Sequence, residues 1–154
     1  MPTSFRRILV PIDDTPLSSK ALRTAFSVAE RFASKVVVLY VRHENQVSNV
    51  AELRRDEAEY EFELKTVRET ALQTLAAGNH TLPPDYVSSD VRTGDPLSCI
   101  LEASVEHAAD LVVMGTHGRT GLASALLGNV AYSVMRRCEK PVLAIRHPER
   151  EFLT

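Results

Sequence analysis

The sequence predicts an α/β fold: a single open, parallel, five-stranded sheet with helices on both faces. Two observations carry that prediction. Short apolar runs (RRILVPI, VVVLYV, LVVM, VLAI) are continuous rather than alternating, as strands covered on both faces must be. Between them lie longer stretches whose apolar residues recur at spacings of three and four, the helical period. No linker, repeat or low-complexity segment breaks the alternation, so residues 1–154 read as one domain.

The first strand spans Arg6 to Ile12, with Pro11 tolerable near its end. Asp13-Asp14 follows, and Thr15-Pro16 opens a helix, since Thr can cap and Pro fits the first helical position. That helix reaches about Ala33 and turns Ala21, Leu22, Ala25, Ala29 and Phe32 inward. Val36 to Val41 is the second strand, rich in β-branched residues, and His43 to Asn49 a polar loop. A long second helix, Val50 to Ala77, has a thin apolar line through Tyr60, Leu64, Val67, Ala71 and Leu75. Its glutamates, Glu57 to Glu63, read as a wet face. Gly78-Asn79 ends it, and Pro83-Pro84 forces a loop.

Tyr86 to Arg92 is a third strand, polar enough for an edge. Asp95 caps and Pro96 opens the third helix, which shows Leu97, Ile100, Leu101, Val105 and Ala108 on one side. The fourth strand, Leu111 to Met114, stops at Gly115. After a glycine-bearing loop, a fourth helix carries Leu126, Leu127, Val130, Ala131, Val134 and Met135. Lys140-Pro141 ends it, and Val142 to Ile145 is the fifth strand.

Composition sets outer limits. With 44% hydrophobic and 25% charged residues in a chain of 154, a globular domain with a real core is expected. A net charge of −2 gives no basic footprint for nucleic acid. Two cysteines without CxxC spacing suit packing in a reducing, cytoplasmic compartment. No apolar run approaches the roughly 20 residues that span a bilayer, and no export signal is legible. His80, His107 and His147 lie apart from Cys and carboxylates at ligand spacing, so no metal site is expected.

Right-handed crossovers make 3-2-1-4-5 the natural strand order. It places a reversal, and hence a crevice, between strands one and four, where open sheets bind ligands. Asp13 falls at one lip and the Gly115 loop at the other. Walker A is absent, because no lysine lies in the loop between Gly115 and Gly128, and the turn after strand one has no dinucleotide glycines. What remains is Gly115-Thr116-His117-Gly118, nine residues, then Gly128: a phosphate-holding loop or simply tight turns. Asp13 likewise reads as a ligand contact or as a staple for its own turn. His43, His117 and Arg119 are weaker candidates beside the same crevice.

With that loop, the surrounding GTHGRTGL and the closing KPVLAIR, the chain resembles the universal stress protein (UspA) family over essentially its whole length. The resemblance implies a Rossmann-like open sheet, related to adenine nucleotide α-hydrolases, and dimers formed through the last strands, here Val142 to Ile145. It implies that Asp13 and Val41 sit by adenine and ribose, with Gly115, Gly118, Gly128, Asn129 and Val130 around the phosphates of ATP, AMP or ADP. Mg²⁺ would be held mainly by the phosphates. The family's nucleotide-binding subgroup carries Ser or Thr where this chain has Asn129. Asn keeps the backbone N–H and an amide donor but is bulkier. The SGGxDS loop of the related pyrophosphatases is absent, as is any positioned base or lysine for phosphoryl transfer. The implied role is a stress-response protein using adenine nucleotide as a regulatory ligand. The alternatives are a non-nucleotide-binding dimer and a slow ATPase.

Overall fold

The computed structural model describes residues 4–42, 57–116 and 129–146. Within them the chain runs β1 (Arg7–Ile12), α1 (Pro16–Phe32), β2 (Lys35–Arg42), α2 (Glu57–Ala77), a 3-10 turn (Pro84–Tyr86), β3 (Val87–Thr93), α3 (Pro96–Glu106), β4 (Leu111–Gly115), α4 (Asn129–Arg137) and β5 (Val142–Ile145). All pairings are parallel and the order is β3-β2-β1-β4-β5, as the sequence predicts.

The unbroken apolar runs have the expected cause. Successive strand residues feed two separate cores. Ile8, Val10, Val36, Val38, Leu111 and Val113 pack with α1 and α2, around the fully buried Phe26. Leu9, Val37, Leu39, Val112 and Met114 pack with α3 and α4, against Ile100, Ala103, Ala131 and Val134. A strand covered on both faces has no position left for a polar residue, which is why the alternation vanishes.

Several expectations need correction. Phe32 is 45% exposed rather than inward, lying edge-on to Phe5 at 5.2 Å. On α3 the buried side is Cys99, Ile100, Ala103 and Ser104, whereas Val105 is 71% exposed. The buried row is therefore turned from the one expected through Leu101 and Val105. Gly78-Asn79 does end α2, after Ala77, and within that pair it is Asn79 that takes the left-handed conformation (φ 54°), in keeping with the tolerance of Asn for that region. Helix α4 ends at Arg137, before Lys140-Pro141. The start of the second helix from Val50, the polar loop from His43, and Leu126 and Leu127 fall outside the described residues.

Edge strand β3 owes its polarity to a charge network under α3. Asp90, 8% exposed, accepts from Arg92 Nε at 2.9 Å and lies 2.7 Å from His107 Nε2. Arg92 also reaches Glu106 at 2.6 Å. Burial alone would raise the Asp90 carboxyl, but the bonds from His107 and Arg92 outweigh it and hold the pKa below the ordinary value. For Arg92, burial pulls downward, yet the bonds to Glu106 and Asp90 leave its pKa raised.

Candidate functional site

The crevice comes from a ladder that stops early. β1 pairs with β4 only at Ile8–Leu111 and Leu9–Val112. Each strand then goes on pairing with its outer neighbour, β1 to Ile12–Tyr40 and β4 to Gly115–Ile145. Past Leu9 and Val112 the sheet is therefore open along its middle. Pro11, which has no N–H, lies beyond that last rung and so forgoes no bond to β4.

At one lip the chain leaves β1 through a turn built on Asp13. Its Oδ1 accepts from the Thr15 amide at 2.9 Å, the Thr15 hydroxyl, and the Ser18 hydroxyl at 2.7 Å. The Asp13 amide donates back to Ser18 Oγ at 2.8 Å. Thr15 holds the N-cap position of α1 but makes no side-chain cap, its hydroxyl being turned to Asp13. The turn-staple reading of Asp13 is thus met by one carboxylate oxygen. Among the described residues none donates to the other oxygen, Oδ2.

At the other lip stands Gly115, and its lack of a side chain has a packing cause. A Cβ there would meet Leu17 Cγ at 2.9 Å and Cδ2 at 3.1 Å. Its φ is not in the left-handed region, so no tight turn demands glycine here. Thr116 follows, fully buried, with its amide donating to Ile145 O at 2.9 Å. Asn129 opens α4, and Val130 is half-buried against the second core. Gly118, Gly128, His117, Arg119 and His43 lie outside the described residues.

Beside Asp13 a cleft of about 530 Å³ runs between the carboxyl ends of β1 and β2 and the stretch of α2 from Phe62 to Thr70. It explains the thin apolar line of that helix. Ala71 and Leu75 are buried, but Tyr60, Leu64 and Val67 are only half-buried, so sheet and helix leave space between them. Tyr40, Arg42, Phe62 and Thr66 line it together with Asp13. Val41 does not, because the pleat sends its side chain to the second core. None of Tyr40, Arg42 and Phe62 was legible as a site residue. The available signal was Phe62, an aromatic set among glutamates and off the apolar line. The two described histidines have structural partners: His80 Nδ1 lies 3.0 Å from Glu30 and its ring against Phe26, while His107 belongs to the Asp90 network. Cys99 is a buried thiol whose pKa is pushed up by that burial, and Cys138 packs on the second core.

Fold and site together define an open-sheet α/β protein with a lined cleft beside its topological switch point. The family model described as the universal stress protein family matches residues 4–146. Universal stress protein MJ0531 of Methanocaldococcus jannaschii is 30% identical, over 96% of this chain and 85% of its own length. Universal stress protein G of Salmonella typhimurium is 30% identical over 92% and 99%. The chain belongs to the universal stress protein family. Among solved structures, that of protein MJ0577, also from Methanocaldococcus jannaschii, superposes with a TM-score of 0.71 at 25% identity, covering 93% of this chain and 96% of that one. A universal stress protein solved in complex with cAMP has a TM-score of 0.66 at 21% identity, covering 93% of this chain and 98% of that one. One from Archaeoglobus fulgidus in complex with dAMP has 0.62 at 17%, covering 94% and 99%. Among the described residues no helix is long and apolar enough to cross a membrane.

Proposed function

We propose that this chain binds an adenine nucleotide, ATP or AMP, across the opening between β1 and β4 and uses it as a regulatory ligand in a cytoplasmic stress response. The observation that carries the reading is the early end of the β1–β4 ladder, with Asp13 on one lip and Gly115 on the other. The structural relatives solved with cAMP and dAMP support it, as adenine nucleotides held on the same fold. In this reading Asp13 and the backbone of Val41 hold base and ribose. Gly115, Gly118, Gly128, Asn129 and Val130 bring backbone N–H groups to the phosphates, which favour a helix start, and Mg²⁺ rides on the phosphates. Backbone amides and one carboxylate can hold such a ligand.

The test is direct. One portion of protein purified without added ligand is denatured and its supernatant run on an anion-exchange column, and a folded portion stripped of nucleotide is titrated with ATP and AMP by calorimetry. Released nucleotide or saturable binding agrees with the proposal. An empty supernatant together with no heat at millimolar nucleotide defeats it.

Asn129 favours a second reading, a dimer that acts without nucleotide. In either reading we propose antiparallel pairing of β5 between two chains, because β5 is an edge strand with Leu143 37% exposed. Light scattering that returns a monomer mass at tens of micromolar contradicts this assembly.

A further inference from the structure

Phe62 is 70% exposed, the most exposed aromatic among the described residues, and it stands on the wall of the cleft beside Asp13. A ring left in water forgoes the stabilisation that burial would give it, and the core cannot recover it, since α2 turns Ala71 and Leu75 inward instead. Its position is not random with respect to the cleft. Phe62, Thr66 and Thr70 succeed one another at four-residue spacing, so they form one stripe of α2, and all three line the cleft. Tyr40, from the end of β2, adds a second ring to the same space.

The polar rim decides what such a ring could hold. Thr66 donates its hydroxyl proton to Phe62 O at 2.9 Å, and Thr70 donates to Thr66 O at 3.0 Å. With those protons committed, both hydroxyl oxygens can serve a ligand only as acceptors. Asp13 and Asp14 are acceptors too, and Glu63 is engaged with Arg42, the one cation among the described lining residues, at 3.4 Å. Among the described lining residues, three carboxylates against one guanidinium disfavour phosphate, while an acceptor-rich rim suits N–H and O–H donors. A flat ring bearing donors fits; an anion does not.

We propose that Phe62 is the stacking wall for the base of the bound nucleotide, which enters this cleft base-first with its phosphates directed toward the Gly115 side. The inference rests on the nucleotide-binding reading and adds to it the residue that selects for an aromatic base. Every base has a π face, and stacking on an aromatic side chain is strong enough to dominate base affinity.

The experiment uses AMP as the probe and two variants. Phe62→Ala removes the ring from an exposed position, so the fold is retained and a melting curve checks it. The expected loss of AMP affinity is roughly tenfold. The chain has no tryptophan, so Phe62→Trp adds a single indole that keeps the stacking surface and reports on it. Its fluorescence should be quenched at saturating AMP, with affinity equal to or above the parent's. The proposal is overturned if Phe62→Ala binds AMP within twofold of the parent, or if the indole emission does not move at saturation. In both cases AMP binding by the parent leaves the nucleotide-binding reading standing. If the parent itself binds no AMP, the proposal falls together with the reading beneath it.

Discussion

Replacing Gly115 with alanine isolates the physical reason for that glycine. The added Cβ would lie 2.9 Å from Leu17 Cγ and 3.1 Å from Cδ2, with Leu17 Cβ at 3.6 Å. Carbon atoms pack at about 3.5–4.0 Å, so Leu17 must retreat by roughly half an ångström or more. It has nowhere to go, being 1% exposed in the first core and held at the first turn of α1 just after Pro16. Overpacking of this kind costs about 1–3 kcal/mol. In a chain of this length each kcal/mol lowers the melting temperature by roughly 2–4 °C, so Gly115→Ala should melt roughly 2–12 °C below the parent without ligand. Leu17→Ala removes both close atoms and alone costs about 2–5 kcal/mol through its cavity. Combined, the two changes should be less damaging than their sum, by a coupling of about 0.5–3 kcal/mol. Thermal and urea unfolding of the four proteins completes the cycle. A Gly115→Ala protein that melts within a degree of the parent refutes the packing argument, and so do strictly additive single changes.

Three further outcomes are expected. Asp13→Ala should lose about 1–3 kcal/mol of stability, because three donors lose their shared acceptor; Asp13→Asn, which keeps Oδ1, should lose much less, and equal melting of the two removes the staple. Asp90→Asn should cost about 1–3 kcal/mol at neutral pH. Because Asp90's folded pKa lies below its unfolded value, that stability is fully present above about pH 3.9 and fades as pH falls through the folded pKa. The gap between parent and variant should therefore close on acidification, and a gap constant to pH 2 contradicts the ion-paired carboxylate. Asn129→Ser should tighten ATP by about 1 kcal/mol if the larger amide crowds the phosphates; calorimetry showing equal affinities means that only the backbone N–H acts there.

The layered architecture was legible because apolar runs and helical periods report burial directly. Ile8, Leu9 and Val10 must be apolar in succession, since they face two different cores in turn. The strand order followed from chain-crossing rules, and the lips of the crevice followed from the order. What stayed hidden depends on side chains meeting across long separations. Nothing in the local sequence says that Gly115 yields to Leu17, or that Asp90 and Arg92 meet Glu106 and His107 beneath α3. Periodicity also misplaced Val105 and Phe32, because it counts apolar residues without knowing how far each helix is rolled on the sheet. The cleft was missed for a related reason. Glutamates around Phe62 made that part of α2 read as solvent-facing, whereas only one side of it is.

The central claim is that an adenine nucleotide occupies the opening between β1 and β4. It is tested most directly by titrating isotope-labelled protein with ATP and following backbone amide shifts. The account predicts saturable changes concentrated at Asp13 to Ser19, at Gly115 and Thr116, and at the start of α4. Amides at the amino ends of the strands, around Asp110 and Lys35, should stay fixed. No shift at millimolar ATP, or shifts gathered at those amino ends, would contradict it.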